Sequence, residues 1–364
     1  MSGTNSSSGS SLRHVRIVGS GLIGSSIGLA LRAHGIAVTM IDKDSSAQSL
    51  AMDLMGGKSA LPSKDIEVDL VLIATPASSI IEVIASEYAI NLNSTFMDVS
   101  SIKSKPQNDV SKSPLPASRF LPSHPMAGRE IGGPESARAD LFQGCIWAYD
   151  PVGVDELSLS LGLELINLCG ASPLSIASNE HDQAVALASH LPQAVSTLLA
   201  RQLVDAKTTH LDLAGGGLRD TTRIAASSPT LWSEILSSNA AALRPLLTNL
   251  QNDLGLLIKN LDDPAFLLNF MEGGNIGRAR IPGKHGGASR SYTYLPVVIE
   301  DKPGQLASLF EECAQAGVNV EDLTIEHSPE QFTGLITLAL SSDDAAKLFT
   351  HLEGNGWKVH APRK

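Results

Sequence analysis

The segment that most constrains the fold is the glycine-rich stretch Gly19-Ser20-Gly21-Leu22-Ile23-Gly24. It follows the β-rich run His14–Val18 and opens the apolar helical stretch Leu22–Ala33. A second β-rich run, Ala37–Ile41, comes next and is followed directly by Asp42. Strand, helix and strand in this order predict a parallel βαβ unit, and chains that repeat this unit fold as doubly wound α/β sheets.

The spacing of the glycines is that of a dinucleotide-binding loop. Gly19 permits the tight turn, Gly21 lets the backbone approach a pyrophosphate, and Gly24 lets helix and strand pack closely. The start of the following helix offers free N–H groups and a positive dipole end to phosphates. All six loop residues are therefore candidate cofactor contacts, and a glycine turn without a ligand is the alternative.

Asp42 indicates which dinucleotide the loop accepts. It lies 18 positions after Gly24, where a carboxylate accepts hydrogen bonds from the ribose hydroxyls and repels a 2′-phosphate. The sequence therefore favours NAD as the cofactor. Lys43, its neighbour, keeps NADP open as an alternative.

The overall charge argues against polyanionic partners. The 364 residues carry a formal net charge of -11, from 27 Lys and Arg against 38 Asp and Glu. Such a chain repels phosphate backbones, so neither nucleic acid nor an anionic surface is an expected partner. An anionic substrate requires a local group of cations instead.

Three cysteines, Cys145, Cys169 and Cys313, are widely spaced and form no Cys-x-x-Cys motif. This pattern excludes a zinc cluster, argues against a disulfide framework, and fits buried thiols in a reducing cytoplasm. No metal site is predicted. The first residues do not resemble a signal peptide, and residues 1–12 are expected to form a flexible tail. The sequence contains no run of 18 apolar residues, so a membrane span is not expected.

The hydrophobic pattern divides the chain into three domains. Residues 13–176 alternate strand and helix signals, as a Rossmann-like doubly wound sheet does, and residues 177–271 carry long amphipathic helical runs. Residues 272–290 contain six glycines without periodicity and are predicted to be a linker. Residues 291–364 have βαββαβ order, which predicts a small ferredoxin-like α+β domain.

Polar residues at strand ends mark the candidate site, since ligands of open α/β sheets bind there. Thr75 and Pro76 end one strand and could line the cofactor; Ser101 follows a second strand. His124, on the stiff segment before Pro125, is a candidate for proton transfer, and Ser101 could orient it by a hydrogen bond. A histidine that only satisfies loop carbonyls is the alternative.

The helical region contributes further candidates. His190 precedes Pro192, which is expected to kink a long helix. The kink could face a cavity, and a kink that is only part of the core is the alternative. Arg223 follows three successive glycines and suits a substrate carboxylate, with a surface ion pair to Asp220 as its alternative.

Taken together, these motifs resemble the prephenate dehydrogenase family of tyrosine biosynthesis. The resemblance runs over residues 14–270 and rests on GSGLIG, DVSSIK, SHPMAGRE, HLPQAV and GGGLRDTTRIAASSPTLW. The C-terminal stretch DKPGQLASLFEECAQAGVNVEDLTIE is similar to an ACT domain, an amino-acid-sensing module of some family members.

The resemblance implies NAD-dependent oxidative decarboxylation of prephenate to 4-hydroxyphenylpyruvate. It implies that His124 takes the proton of the ring hydroxyl, that Ser101 positions His124 and the nicotinamide, and that Arg223 holds a substrate carboxylate. It also implies a homodimer formed through the helical domain, with Trp232 reaching toward the partner's site. Feedback by tyrosine or phenylalanine near Gly304 and Asn319 is the corresponding expectation for the ACT-like segment.

Two positions depart from the family pattern and affect substrate choice. Gln193 stands where many members have a second histidine, and Arg129 stands where many have Ser or Thr. Gln193 removes a cationic contact to the substrate side chain, and Arg129 could restore one. Prephenate is favoured, and arogenate, its aminated counterpart, remains the alternative substrate.

Two other classes of protein also remain as alternatives. One is a β-hydroxyacid dehydrogenase, which typically uses a catalytic lysine. The other is a non-catalytic amino-acid sensor that binds NAD, against which the intact Ser101, His124 and Arg223 argue.

Overall fold

The structure, a computed structural model, describes residues 11–57, 66–129, 132–281, 292–326 and 333–363. These residues form two compact units, and the boundary between them along the chain falls between Leu254 and Gly255. Each unit is described separately below.

A five-stranded parallel sheet forms the centre of the first unit. Its strands are β1 (His14–Val18), β2 (Ala37–Ile41), β3 (Leu70–Ile73), β4 (Thr95–Asp98) and β5 (Phe120–Leu121), in the order β2-β1-β3-β4-β5. From β1 the chain connects to β2 on one side of the sheet, and from β3 it connects to β4 on the other side. The strand order therefore reverses in the middle of the sheet, which confirms the predicted Rossmann-like fold.

Helices cover both faces of this sheet, and for that reason its central strands are apolar along their whole length. The helices are α1 (Leu22–Ala33), α2 (Ser45–Leu54), α3 (Ile80–Tyr88), α4 (Ser104–Val110) and α5 (Glu156–Leu168). All four residues of β3 and of β4 are buried. Asp98, the last residue of β4, is fully buried at the carboxyl edge where a ligand is expected.

A smaller sheet continues from the edge of the first one. It contains β6 (Ser123–Pro125), β7 (Ile146–Tyr149) and β8 (Ser172–Ser175), with β6 antiparallel and β8 parallel to β7. The Ser123 hydroxyl donates to the Asp98 carbonyl at 2.7 Å and accepts from the Trp147 indole at 3.0 Å. These two bonds fix the start of β6 against β4.

The helical part of the first unit follows β8. It comprises α6 (Ser178–Val185), α7 (Leu191–Arg201), α8 (Thr208–Leu211), α9 (Gly216–Thr222), α10 (Pro229–Ser238) and α11 (Ala240–Lys259), the last of which crosses into the second unit. The predicted long helix is interrupted by a π-helical turn at Ala186–His190, directly before Pro192. Proline lacks an N–H and crowds the preceding turn, so a widened turn is a physical response to it.

The second unit contains α12 (Pro264–Ala279) and a four-stranded antiparallel sheet. The sheet and its helices are β9 (Thr293–Glu300), α13 (Gln305–Gln315), β10 (Asp322–Glu326), β11 (Thr333–Leu340), α14 (Ser342–Gly354) and β12 (Lys358–Val359). The sheet order is β10-β11-β9-β12, and Leu295, Leu309, Ile336 and Leu348 lie in its core. The predicted βαββαβ order is therefore present.

The predicted start of the linker at residue 272 is wrong. Helix α12 continues to Ala279 and includes Gly273, Gly274 and Gly277. Each glycine costs a helix about 1 kcal/mol relative to alanine, but the Asp263 carboxylate accepts from two N–H groups of the first turn and stabilises the start. Residues 282–290 of the predicted linker and residues 1–10 of the predicted tail lie outside the described residues.

No helix among the described residues is long and apolar enough to cross a membrane.

Candidate active site

The glycine loop between β1 and α1 has the shape of a phosphate cradle. Gly19 has φ +108°, and a Cβ atom there would lie 2.5 Å from the Ala74 carbonyl oxygen. A Cβ atom on Gly24 would lie 2.0 Å from the Gly19 oxygen, whereas one on Gly21 would meet no atom within 4 Å. Gly19 and Gly24 are thus required by packing, and Gly21 borders open space that a ligand can fill.

The other loop residues divide between the core and the helix start. Leu22 is buried in α1, and Ile23 packs against the core beside it, so these two residues offer the ligand their backbone rather than their side chains. Gly21, the N-cap of α1, supplies no side chain to the first-turn N–H groups. An anion is the partner that such a helix start accepts.

Asp42 is hydrogen-bonded to the glycine loop through Ser20. Its Oδ2 accepts from the Ser20 N–H at 2.6 Å and from the Ser20 hydroxyl at 2.8 Å, and its Oδ1 accepts from the Asp44 N–H at 2.9 Å. Partial burial by itself would raise the pKa of Asp42, but these hydrogen bonds and the charge of Lys43 outweigh it and lower the pKa. An ionised carboxylate at this place fits ribose hydroxyls and opposes a 2′-phosphate.

Thr75 lies across from the loop, at the end of β3. Its hydroxyl is buried and has no hydrogen-bond partner among the described residues. The next residue, Pro76, begins the short turn that leads into α3, and the N–H of Ser78 in that turn donates to Glu234 of α10 at 2.9 Å. An unpaired buried hydroxyl beside an open cradle is what a missing polar ligand leaves, so these residues fit a dinucleotide.

His124 lies in the middle of β6, in register with Ala148 of β7. Its Nδ1 is 3.0 Å from Nε2 of His181, and the two rings meet edge to face with centroids 5.2 Å apart. His181 Nδ1 in turn lies 2.9 Å from Oδ1 of Asp182. The structure thus joins the predicted histidine to two residues of α6 that the sequence did not single out.

Several neighbours act on the protonation of His124. Desolvation lowers its pKa well below the ordinary value of 6.5, and the positive potentials of His181, Lys103 and His190 act in the same direction. Asp182 opposes them without reversing the shift. His124 is therefore neutral at physiological pH, which is the state a proton acceptor needs.

A buried ion pair lies behind this histidine. Lys103 Nζ contacts the Asp98 carboxylate, and both side chains are almost completely buried. Asp98 also accepts from the N–H and hydroxyl of Ser100 and from the Ser123 N–H. Desolvation lowers the pKa of Lys103, although the charge of Asp98 opposes it. The pair anchors the β4–α4 loop. In the sequence, Asp98 and Lys103 are the first and last residues of the motif DVSSIK.

Ser101 is partly exposed in that loop. Within the described part of the chain it is not hydrogen-bonded to His124, whose Nδ1 is occupied by His181. The expected Ser101–His124 contact is therefore absent from this structure, because β6 directs the ring toward α6.

His190 is buried at the end of the π-helical turn. Asn239 donates its amide to the Asp182 carbonyl at 2.8 Å, and the same nitrogen lies 3.1 Å from His190 Nδ1. Since that nitrogen is a donor, His190 Nδ1 accepts and Nε2 carries the proton. The Trp232 ring lies edge-on to His190 within its own chain, with ring centroids 6.1 Å apart, and its expected approach to the partner's site stays a prediction.

The structure gives Gln193 a different role from a substrate contact. Its side chain is buried, and its amide donates to the Ile224 carbonyl at 3.0 Å. Ser196, one turn further along α7, donates to the Thr221 carbonyl at 2.7 Å. These two bonds brace the segment that carries Arg223, whose side chain is exposed. Arg129 is also exposed and donates to the Ser136 carbonyl at 3.2 Å.

The predicted effector residues belong to the second unit. Gly304 has φ +90° and precedes α13, and the Asn319 amide donates to Glu321 at 3.1 Å. A cavity of about 410 Å³ lies in the same unit, lined by Gln305, Trp357 and Lys358 among others, and neither Gly304 nor Asn319 lines it. Among all described residues, no group of three or more His, Cys, Asp or Glu could hold a metal ion.

The fold and this site define a class: Rossmann-type dehydrogenases that have a helical domain after the sheet. Comparison with known proteins identifies the family. Residues 27–173 match the prephenate dehydrogenase nucleotide-binding domain, and residues 177–268 match the prephenate dehydrogenase dimerization domain. The chain belongs to the prephenate dehydrogenase family.

Individual relatives agree with this assignment. The chain is 31% identical to "Probable prephenate dehydrogenase NovF" of Streptomyces niveus, over 96% of this chain and 100% of that protein. It is 30% identical to the cyclohexadienyl dehydrogenase of Zymomonas mobilis, over 71% of this chain and 93% of the relative. The prephenate dehydrogenase of Aquifex aeolicus, solved with hydroxyphenyl propionate and NAD+, superposes with a TM-score of 0.66 at 26% identity, covering 75% of this chain and 99% of that one.

Proposed function

We propose that the protein catalyses the NAD-dependent oxidative decarboxylation of prephenate to 4-hydroxyphenylpyruvate. The observation that carries this proposal is a neutral histidine, His124, which is held by its Nδ1 in the middle of β6, the strand whose first residue is bonded to the end of β4. Family membership and the solved NAD+ complex of the Aquifex aeolicus relative support both the substrate and the cofactor.

NAD, when bound along the glycine loop, supplies the acceptor for a hydride from the ring carbon that bears the hydroxyl. The loop backbone and the α1 start hold its phosphates, Asp42 holds a ribose, and Thr75 offers its unpaired hydroxyl. These residues orient the cofactor and leave the proton chemistry to the other side of the site.

His124 takes the proton of the ring hydroxyl. Its Nδ1 is engaged by His181, so Nε2 is the nitrogen that accepts this proton as the carbonyl develops. The carbon–carboxylate bond then breaks, its electron pair enters the ring, and carbon dioxide leaves. Because the ring becomes aromatic, the sequence of steps is irreversible.

Cations hold the two carboxylates of the substrate. We assign Arg223 to one of them, with Arg129 as a second exposed guanidinium and the His190 Nε2–H as a neutral donor. Trp232 packs on His190 and limits its motion. Ser101 remains the proposed contact to the nicotinamide.

The first test is the substitution His124→Asn. Loss of a general base lowers kcat by a factor of about 10² to 10⁴. We expect this fall in NADH production from prephenate, with the Kd for NAD measured by calorimetry unchanged. Unchanged turnover would refute the mechanism. A wild-type protein that binds NAD but turns over neither prephenate nor arogenate would support the alternative of a non-catalytic sensor.

Arogenate remains the second candidate substrate. It shares the cyclohexadienyl ring, and one relative is a cyclohexadienyl dehydrogenase. Gln193 is neutral, and its amide already donates to the Ile224 carbonyl. The residue therefore adds no positive charge that would favour the keto-acid side chain of prephenate. Comparing kcat/KM for the two substrates, with NAD and with NADP, decides between them.

We propose that the βαββαβ part of the second unit is an ACT-like regulatory domain that binds tyrosine or phenylalanine. Its element order and the turn at Gly304 support this assignment, and Gly304 and Asn319 are the proposed contacts. Regulation requires that the effector bind two states of the enzyme unequally. Inhibition of the full chain that Asn319→Ala weakens would support it, and the absence of any effect of either amino acid would oppose it.

The remaining proposals concern organisation. We propose a homodimer formed through the helical domain, which begins at residue 177 and includes α12 to Ala279, with further domains at 13–176 and 291–364 and a reducing cytoplasm as the location. The match to a dimerization domain supports the first proposal, and the free thiols of Cys145, Cys169 and Cys313 support the last.

A further inference from the structure

We propose that Asp182 and His181 form a hydrogen-bonded relay behind His124, which selects the reactive tautomer of His124 and takes up the positive charge that arises when it accepts a proton. Both residues are positioning residues, since they act through His124. The proposal rests on the role assigned to His124 in the proposed function.

The direction of the relay follows from its acidic end. An ionised carboxylate only accepts hydrogen bonds, so His181 Nδ1, 2.9 Å from Asp182 Oδ1, carries a proton. In neutral His181 the other nitrogen, Nε2, then carries a lone pair. His124 Nδ1 lies 3.0 Å from that lone pair and must donate to it. His124 Nε2 is left as the acceptor, which is the form a base requires.

Asp182 is held firmly enough to impose this direction. Its Oδ1 accepts from the Lys103 N–H at 2.8 Å, its Oδ2 accepts from the Ser104 N–H at 2.9 Å, and Asn239 donates to its carbonyl at 2.8 Å. Burial acts to raise the pKa of Asp182, but the hydrogen bonds from His181, Ser104 and Lys103 lower it. The carboxylate therefore stays ionised and joins α4, α6 and α10–α11 to the relay.

The charges around the relay make this arrangement useful. Lys103 faces His124 with a positive charge, protonation of His190 would add a second one, and Asp182 is the group that opposes them. A proton that arrives at His124 Nε2 turns the ring into a cation in this environment. If the Nδ1 proton moves to His181 Nε2, the cation becomes His181, which is paired with the ionised carboxylate of Asp182. One proton enters at His124 Nε2 and one shifts from His124 to His181, so no further reactant is needed.

A purely structural role is the competing explanation, because Asp182 also satisfies the first N–H groups of α4. The two explanations differ at His181. His181→Leu removes the acceptor for His124 Nδ1 and leaves the contacts of Asp182 with α4 in place. His181→Gln can keep an acceptor there, through its side-chain oxygen, but it cannot take up a proton.

The experiment combines steady-state kinetics with ¹⁵N spectroscopy of labelled histidine at a pH where His124 is neutral. In wild type we expect His124 as the Nδ1–H tautomer. In His181→Leu we expect the Nε2–H tautomer that an isolated imidazole prefers, with kcat reduced at least about 100-fold and the Kd for NAD unchanged, as for other bases held in the wrong tautomer. His181→Gln should keep the Nδ1–H form and still lose about 10-fold in kcat.

His351→Gln, which makes the same change at a histidine bonded to Glu312 in the second unit, is the matched control and should equal wild type. An Nε2–H tautomer in wild type, or His181→Leu within two-fold of wild-type kcat, would overturn the proposal. Wild-type activity in His181→Gln would overturn the charge-accepting part. The tautomer is read without substrate, so a failure of the proposed function is seen separately, as absent wild-type turnover of prephenate.

Discussion

At the scale of single residues, the depressed pKa of His124 sets a pH dependence. Desolvation, together with His181, Lys103 and His190, lowers this pKa well below 6.5. A base works in its neutral form, so activity is present above the pKa and lost as the pH falls through it. We expect the acid limb of kcat/KM for prephenate to have its midpoint below pH 6.5.

The measurement is a kcat/KM profile, accompanied by thermal unfolding at each pH, so that acid unfolding is not mistaken for titration of the base. The residual activity of His124→Asn should lack this limb. A midpoint above the ordinary histidine value would contradict the environment described for His124.

The sequence singled out His124 but predicted a different partner for its ring. A histidine before proline at a strand end was visible in the sequence, since such positions line ligands in open sheets. Its partner is His181, 57 positions away. Nothing local in the sequence links the two, because β6 and the start of α6 meet only through the pairing of β6 with β7 and of β7 with β8.

At the scale of elements, α7 positions the segment that carries Arg223. Gln193 holds the Ile224 carbonyl, and in Gln193→Leu that carbonyl loses its donor at a cost of about 1–3 kcal/mol. The turn after Arg223 then relaxes, so we expect KM for prephenate to rise about 10-fold, with a smaller change in kcat. Steady-state kinetics at saturating NAD measures both.

Gln202→Leu, on the exposed end of the same helix, is the matched control and should leave KM unchanged. A Gln193→Leu variant that melts at a lower temperature but keeps the wild-type KM would show that the brace serves stability alone.

The elements that the sequence predicted best are those with a strong period and short-range signals. Strands β1 and β2 and helix α1 were predicted at their observed bounds, because glycine, apolar pattern and Asp42 all mark the same unit. Helix α12 was missed beyond residue 271, because three glycines weaken the helical signal while the cap that supports the helix, Asp263, lies at its other end.

At the scale of the whole molecule, the net charge and the substrate have the same sign. A chain with a formal charge of -11 must hold a dianion, so binding depends on a few local cations such as Arg223 and Arg129 acting against the overall field. The composition predicted that an anionic substrate needs local cations, but it did not indicate where these cations would lie, because that depends on how α7 and α9 pack.

Exposed apolar side chains on α11 and α12 predict a dimer. Leu256 and Ile258 are 51% and 63% exposed, and Leu268 and Met271, three positions apart on one face of α12, are 63% and 67% exposed. Large apolar side chains exposed in such number are usually covered by a partner, and part of these two helices lies in the region matched to a dimerization domain. We therefore expect the double substitution Leu268→Glu and Met271→Glu to produce monomers, because pairing would bury unpaired carboxylates. Light scattering coupled to size-exclusion chromatography measures the mass of each form.

Ile90→Glu, at an equally exposed apolar residue (67%) after α3, is the control and should remain dimeric. A double variant that elutes as the same dimer as wild type would place the interface on another surface.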